Sequence, residues 1–196
     1  MQMKEAAGSN AVRSLPVWEG KDTILARIRE NDTVIIVGET GSGKTTQIPQ
    51  FLLEESQSSK GMIGITQPRR VAATSLARRV ADELGCEDPA TLRPRSDVKT
   101  DKPAYVGYSV RFDDRTTPQT RIKFLTDGML IREALGSSIS KVGMSRKKNA
   151  RNFLLKRYRV MIIDEAHERS LRTDMLLGLM KPLSYTHMTL PTKRIV

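Results

Sequence analysis

The segment Gly38-Glu39-Thr40-Gly41-Ser42-Gly43-Lys44-Thr45 constrains this chain more than any other. Two glycines bracket four residues and are followed by Lys and Thr. The apolar run Val34-Ile35-Ile36-Val37 stands directly before it, and a stretch of helical length, Thr45–Ser56, follows. A strand, a glycine-rich turn and a helix in that order wrap backbone N–H groups around phosphate oxygens. Glycine removes the Cβ that would block the approach, and the helix N-terminus adds partial positive charge. Lys44 is then placed to reach β- and γ-phosphates, and the Thr45 hydroxyl to ligate Mg²⁺. The bland alternative is a glycine-rich turn before an ordinary helix.

A phosphate loop of this kind needs a carboxylate at the end of a neighbouring strand. Val160-Met161-Ile162-Ile163 runs straight into Asp164-Glu165-Ala166-His167. Four apolar residues ending in two acids deliver a carboxylate to the mouth of a parallel sheet, where ligands bind. Asp164 is expected to hold Mg²⁺ through its water shell, and Glu165 to orient and deprotonate the attacking water. The competing reading is an Asp-Glu pair that favours a helix start.

The rest of the chain alternates in the same way. Met62-Ile63-Gly64-Ile65 is a third apolar run, and like Val34–Val37 and Val160–Ile163 it reads as a strand buried on both faces. Helices are expected over Val17–Arg29, Val71–Leu84 and Asp127–Leu135, the last stopped by Gly136. Strands alternating with helices predict an α/β, doubly wound domain with a mostly parallel sheet covered on both sides. Glu87–Pro103 holds three prolines and reads as a surface loop. Ser137–Lys156 reads as an exposed basic insertion.

Composition excludes several classes. No apolar run is long enough to cross a bilayer, and Met1–Arg13 lacks an apolar signal-peptide core. One cysteine, Cys86, rules out an intramolecular disulfide framework and, with only two histidines, leaves too few ligands for a structural zinc site. The formal charge is +11, with eight bases and no acid between Ala134 and Ile163; subtracting those eight leaves +3. A polyanionic partner is expected, gripped chiefly by that segment.

These residues resemble the DEAH-box RNA helicases of superfamily two. Asp164-Glu165-Ala166-His167 with Glu168-Arg169 resembles motif II, and Gly38–Thr45 continuing into Thr46-Gln47-Ile48-Pro49-Gln50-Phe51 resembles motif I. Thr66-Gln67-Pro68-Arg69-Arg70-Val71-Ala72-Ala73 is similar to motif Ia, and Thr126-Asp127-Gly128-Met129-Leu130 to motif Ib. Val106-Gly107-Tyr108-Ser109-Val110-Arg111-Phe112 matches a further family segment. The resemblance covers residues 14–183 and implies a RecA-like P-loop NTPase domain, the first of two in the family. Residues 1–13 are then a flexible tail and residues 137–156 the basic insertion, which has no family counterpart.

The resemblance also implies roles. ATP and Mg²⁺ are the cofactors, held by Gly38, Glu39, Thr40, Gly41, Ser42, Gly43, Lys44, Thr45 and Thr46, with Thr45 and Asp164 on the metal. Glu165, Lys44 and His167 form the catalytic set, His167 coupling the nucleotide site to the second domain. Arg79 matches the position that stacks on the adenine, while Arg78 is the neighbour with which it could be confused. Arg69, Arg70, Thr126 and Asp127 line a groove for single-stranded RNA, or for a duplex with a single-stranded overhang. A G-patch-type activator, no membrane, and a nuclear, nucleolar or cytoplasmic setting in ribosome biogenesis or splicing complete the picture. Arg111-Phe112-Asp113-Asp114-Arg115-Thr116 looks closest to the ribosome-biogenesis members.

Ser184–Val196 resembles nothing in the family and is expected to be an unrelated tail left by truncation or frameshift. A sheet lacking its next strand would then expose an unpaired neighbour. Function therefore divides into an ATP-dependent RNA helicase motor domain and a nucleotide- and RNA-binding fragment without appreciable turnover. A P-loop enzyme acting on another substrate is the third reading.

Overall fold

In the computed structural model, residues 12–55, 61–93, 101–139, 157–180 and 193–195 are described. Helix α1 spans Lys21–Glu30, strand β1 Thr33–Val34, α2 Lys44–Glu55, β2 Met62–Gln67 and α3 Arg70–Glu83. Next come β3 Val106–Val110, β4 Asp113–Asp114, β5 Ile122–Thr126, α4 Asp127–Ile139, β6 Tyr158–Ile163, α5 Leu171–Met180 and β7 Lys193–Ile195. Short 3₁₀ turns form at Pro16–Trp18, Pro89–Thr91 and Ala166–Glu168.

The seven strands form one sheet in the order β1-β7-β6-β2-β5-β3-β4. Every pairing is parallel except β3 with β4. Side chains alternate between faces with the two-residue period of a strand. Val160, Ile162 and Phe124 enter one core, with Phe51 of α2 and Ala77 and Val80 of α3. Met161, Ile163 and Leu125 enter the other, against Leu130 of α4 and Leu176 of α5. Helices therefore cover both faces, as the alternating pattern predicts.

Three expectations change. The apolar run at 34–37 is not a doubly buried strand: β1 stops at Val34, and Ile35 and Val37 are 72% and 92% exposed. β1 lies at the sheet edge, and its one partner, β7, is described only as far as Ile195, opposite Val34. Helix α4 does not stop at Gly136 but continues to Ile139. Glycine in a helix interior costs only about 1 kcal/mol relative to alanine, which the rest of the helix absorbs. The expected gap in the sheet is absent as well. β7 lies between β1 and β6, with Lys193 opposite Val160 and Arg194 opposite both Met161 and Thr33.

Within the Glu87–Pro103 loop, Asp88 caps the Pro89–Thr91 turn by accepting from the Ala90 N–H at 2.9 Å. Of the basic insertion, residues 140–156 lie outside the described residues, as do 1–11 of the N-terminal tail.

Candidate nucleotide site and strand groove

The phosphate loop is built by local backbone demands. Gly41 has φ +82° and Gly43 φ +91°, conformations that a Cβ disfavours. At Gly43 space is also missing: a Cβ would stand 2.9 Å from Leu15 Cδ1 and 3.1 Å from Val17 Cγ1. The Val17 N–H donates to the Ser42 carbonyl at 3.1 Å. The Pro16–Trp18 turn therefore braces the loop from outside, a role nothing in its sequence announced. Trp18 in turn packs edge-on against Phe51 of α2, ring centroids 4.8 Å apart.

Lys44 opens α2 and folds back over the loop. Its Nζ donates to the carbonyls of Gly38 and Glu39 at 2.5 and 2.7 Å and to Ser42 Oγ at 3.2 Å. That places the cation inside the loop, where the α2 N-terminus also points its partial charge. Thr46 Oγ1 donates back to the Gly43 carbonyl at 3.3 Å.

The carboxylate arrives from 119 residues away. Thr45 Oγ1 donates to Asp164 Oδ2 at 2.6 Å. Gln67, at the end of β2, donates to the same oxygen at 2.5 Å, and the Glu165 N–H donates to Asp164 Oδ1 at 3.0 Å. β6 and β2 are neighbours in the sheet, so strand pairing alone carries Gln67 and Asp164 to the same edge. Gln67 is a site residue that sequence reasoning left unassigned; its place at the end of β2, beside the other strand's acid, was the available signal. One hydroxyl and one carboxylate are the hard oxygen donors Mg²⁺ takes when phosphates and water complete its octahedron. The residues present fit that ion.

The DEAH turn itself is strained. Glu165 (φ +53°) and Arg169 (φ +49°) are both left-handed and bracket the 3₁₀ turn Ala166–Glu168. Each such residue without glycine costs about 1–2 kcal/mol. His167 is exposed, its Nε2 3.3 Å from Glu165 Oε2, and Glu168 accepts from Arg69 at 3.3 Å. Arg169 is tied to Asp174 on α5 at 2.9 Å; that hydrogen bond and the aspartate's charge raise the guanidinium pKa further.

The residues expected to face RNA divide. Arg69 and Arg70 are exposed at the start of α3, and Thr126 is half-buried at the end of β5. Asp127 is different: it is buried, and its Oδ2 accepts from Thr173 Oγ1 at 2.8 Å. Its carboxylate ties the first turn of α4 to α5 and is not presented to solvent. Ser170 Oγ completes the junction by accepting the Thr173 N–H at 3.1 Å.

Arg78 and Arg79 separate as well. Arg78 turns to Asp88 in the following loop, at 2.9 Å. Arg79 Nε donates to Glu83 Oε1 at 3.0 Å.

The DEAD/DEAH box helicase family matches this chain over residues 19–176. The human protein named ATP-dependent RNA helicase DHX33 is 48% identical over 169 residues, 86% of this chain and 20% of its own length. The Drosophila melanogaster protein of the same name is 47% identical over 169 residues, with the same coverage. A Saccharomyces cerevisiae protein named "Probable ATP-dependent RNA helicase DHR2" is 46% identical over 172 residues, 87% of this chain and 20% of its length. The chain thus spans about a fifth of the length of these relatives. With a family match over most of the chain, on a sheet that brings Thr45 to Asp164, this chain belongs to the DEAD/DEAH box helicases.

Proposed function

We propose that this chain is the first RecA-like motor domain of an ATP-dependent RNA helicase that binds Mg²⁺·ATP and single-stranded RNA. The convergence of Thr45 and Gln67 on Asp164 carries the reading, because it joins the phosphate loop, the DEAH strand and the strand leading to Arg69. Lys44 and the α2 N-terminus hold the β- and γ-phosphates, Thr45 and Asp164 hold Mg²⁺, and Arg79 faces the base. Mg²⁺, when bound, neutralises charge developing on the phosphates. Glu165 takes the proton of the attacking water; its backbone N–H donates to Asp164 Oδ1, and its carboxylate lies 3.3 Å from His167 Nε2.

Arg69, Arg70 and Thr126 grip RNA phosphates, a sequence-independent and salt-sensitive mode. Unwinding of a duplex with a single-stranded overhang, a G-patch-type activator and a nuclear or nucleolar place in ribosome biogenesis extend this reading; the resemblance of Arg111–Thr116 supports the last. A second reading is a nucleotide- and RNA-binding unit without turnover: the chain spans about a fifth of the length of its relatives, and an arginine finger supplied by another part of such a protein is typically worth about 10³–10⁵ in rate.

Steady-state ATP hydrolysis by residues 1–196, with and without single-stranded RNA, separates the two. Turnover stimulated by RNA and lowered roughly a hundredfold by Glu165→Gln supports the motor domain acting alone. Background turnover with intact ADP binding supports the binding unit.

A further inference from the structure

The contact that fixes Arg79 runs back to the phosphate loop. Glu83, the last residue of α3, uses both carboxylate oxygens: Oε1 accepts from Arg79 Nε at 3.0 Å, while Oε2 accepts from Gln47 Nε2 at 2.8 Å and Gln50 Nε2 at 2.7 Å. Gln47 and Gln50 are buried in α2, and Gln47 stands two residues beyond Thr45. Gln47 Nε2 also donates to Thr46 Oγ1 at 3.0 Å, and Thr46 to the Gly43 carbonyl. The Glu83 side chain is only 12% exposed, whereas that of Arg79 is 59% exposed.

We propose that Glu83 is a positioning residue that fixes the Arg79 guanidinium relative to the phosphate loop, so that it serves as a preset platform for the nucleotide base. This rests on the reading of Arg79 given above. An arginine on a helix surface samples many rotamers, and ordering it costs conformational entropy. Glu83 meets that cost before the nucleotide arrives. Only Nε is engaged by Glu83, which leaves the guanidinium plane open for stacking. Two amide donors hold the carboxylate from the other side, so Glu83 cannot follow Arg79 outward. The neighbouring Arg78 is tied to Asp88 and does not compete for Glu83.

The test measures dissociation constants of ADP and inorganic pyrophosphate on residues 1–196 by calorimetry. The ratio of the two isolates what base and ribose add to phosphate binding. Arg79→Ala and Glu83→Ala are each expected to shrink that ratio about tenfold with pyrophosphate affinity unchanged. The double variant is expected to lose no more than Arg79→Ala alone, because both act through one guanidinium. Glu83→Gln keeps a carbonyl that accepts from Arg79 but turns an amide donor toward the Gln47 and Gln50 amides, so it is expected to lose less than Glu83→Ala without matching the parent. Glu83→Met, which keeps volume but accepts nothing, is measured beside Glu83→Ala so that lost packing is not mistaken for lost positioning. An unchanged ratio in both Glu83→Ala and Glu83→Met, with Arg79→Ala still lowering it, overturns the inference and spares the base platform. Weakened pyrophosphate binding in the Glu83 variants makes Glu83 a structural brace of α2 and likewise overturns it. An unchanged ratio in Arg79→Ala removes both the platform and its positioning residue.

Discussion

Lys44 donates to two carbonyls and a hydroxyl of its own loop, so a phosphate arriving there replaces neutral acceptors with charged ones. The phosphate adds a charge opposite to that of the ammonium, and that attraction is why the lysine contributes to binding as well as to loop shape. Lys44→Ala is expected to weaken ADP binding at least about tenfold, or ~1.4 kcal/mol, by calorimetry; unchanged affinity would remove the lysine from the site. Thr173 makes a different kind of contribution. Its hydroxyl donates to Asp127 Oδ2, and Asp127 Oδ1 has no hydrogen-bond partner among the described residues. Thr173→Val therefore deprives a buried carboxylate of its donor and is expected to cost about 1–3 kcal/mol in chemical denaturation. A loss within about 0.5 kcal/mol would mean that water reaches Asp127. The loop pattern at Lys44 and Thr45 and the acid at Asp164 were legible from their text because a phosphate loop demands those types at those spacings, and the fold brings Thr45 to Asp164. The role of Asp127 was not: whether a carboxylate faces solvent or a neighbouring helix depends on α5, a part of the chain 46 residues away.

Helices and strands are joined by a second, largely buried polar cluster. Lys123 of β5 is 0% exposed and donates to Glu133 of α4 at 2.5 Å, and the Tyr158 hydroxyl of β6 donates to the other Glu133 oxygen at 2.7 Å. Burial and the Glu133 charge push the Tyr158 phenol well above its ordinary value, so it remains a donor at any physiological pH. Glu133 thus ties one helix to β5 and β6, the two strands that flank β2. Glu133→Ala leaves the lysine buried and unpaired and is expected to cost about 3–5 kcal/mol, much of the stability of an ordinary domain. A double variant, Lys123→Met with Glu133→Leu, is expected to recover most of that loss in a urea titration; failure to recover would show that the acceptor Glu133 gives the Tyr158 hydroxyl is the costly part. Sequence reading placed β2, β6, α2 and α3 within a residue or two, since doubly buried strands and amphipathic helices carry their own periods. It misjudged β1 for a physical reason. A continuous apolar run reads as central, yet Ile35 and Val37 stand exposed beside an edge strand whose hydrogen-bonding neighbour arrives from the far end of the chain.

At the scale of the molecule, that neighbour decides how the sheet is closed. β7 pairs in parallel with both β1 and β6, so it joins the strand leading to the phosphate loop to the strand ending in Asp164. Deleting residues 193–196 is expected to unpair both facing edges and to shift the protein toward aggregates in size-exclusion chromatography. A monomer of unchanged melting temperature would show that β7 contributes little. Net charge makes a separate demand. Deleting residues 137–156 removes six of the eight bases of the acid-free stretch. The slope of log RNA affinity against log salt should then flatten, each single-strand phosphate contact contributing about 0.7; an unchanged slope assigns the binding to Arg69 and Arg70. The sequence by itself determined the class of fold and the nucleotide chemistry, because strand and helix periods are local and a phosphate loop is contiguous in the chain. Only the tertiary structure decided which groups share a task. Gln67 meets Asp164 across 97 residues, Thr45 meets it across 119, and Glu83 joins Gln47 to Arg79. Those contacts depend on strand order and helix packing, which no local period encodes.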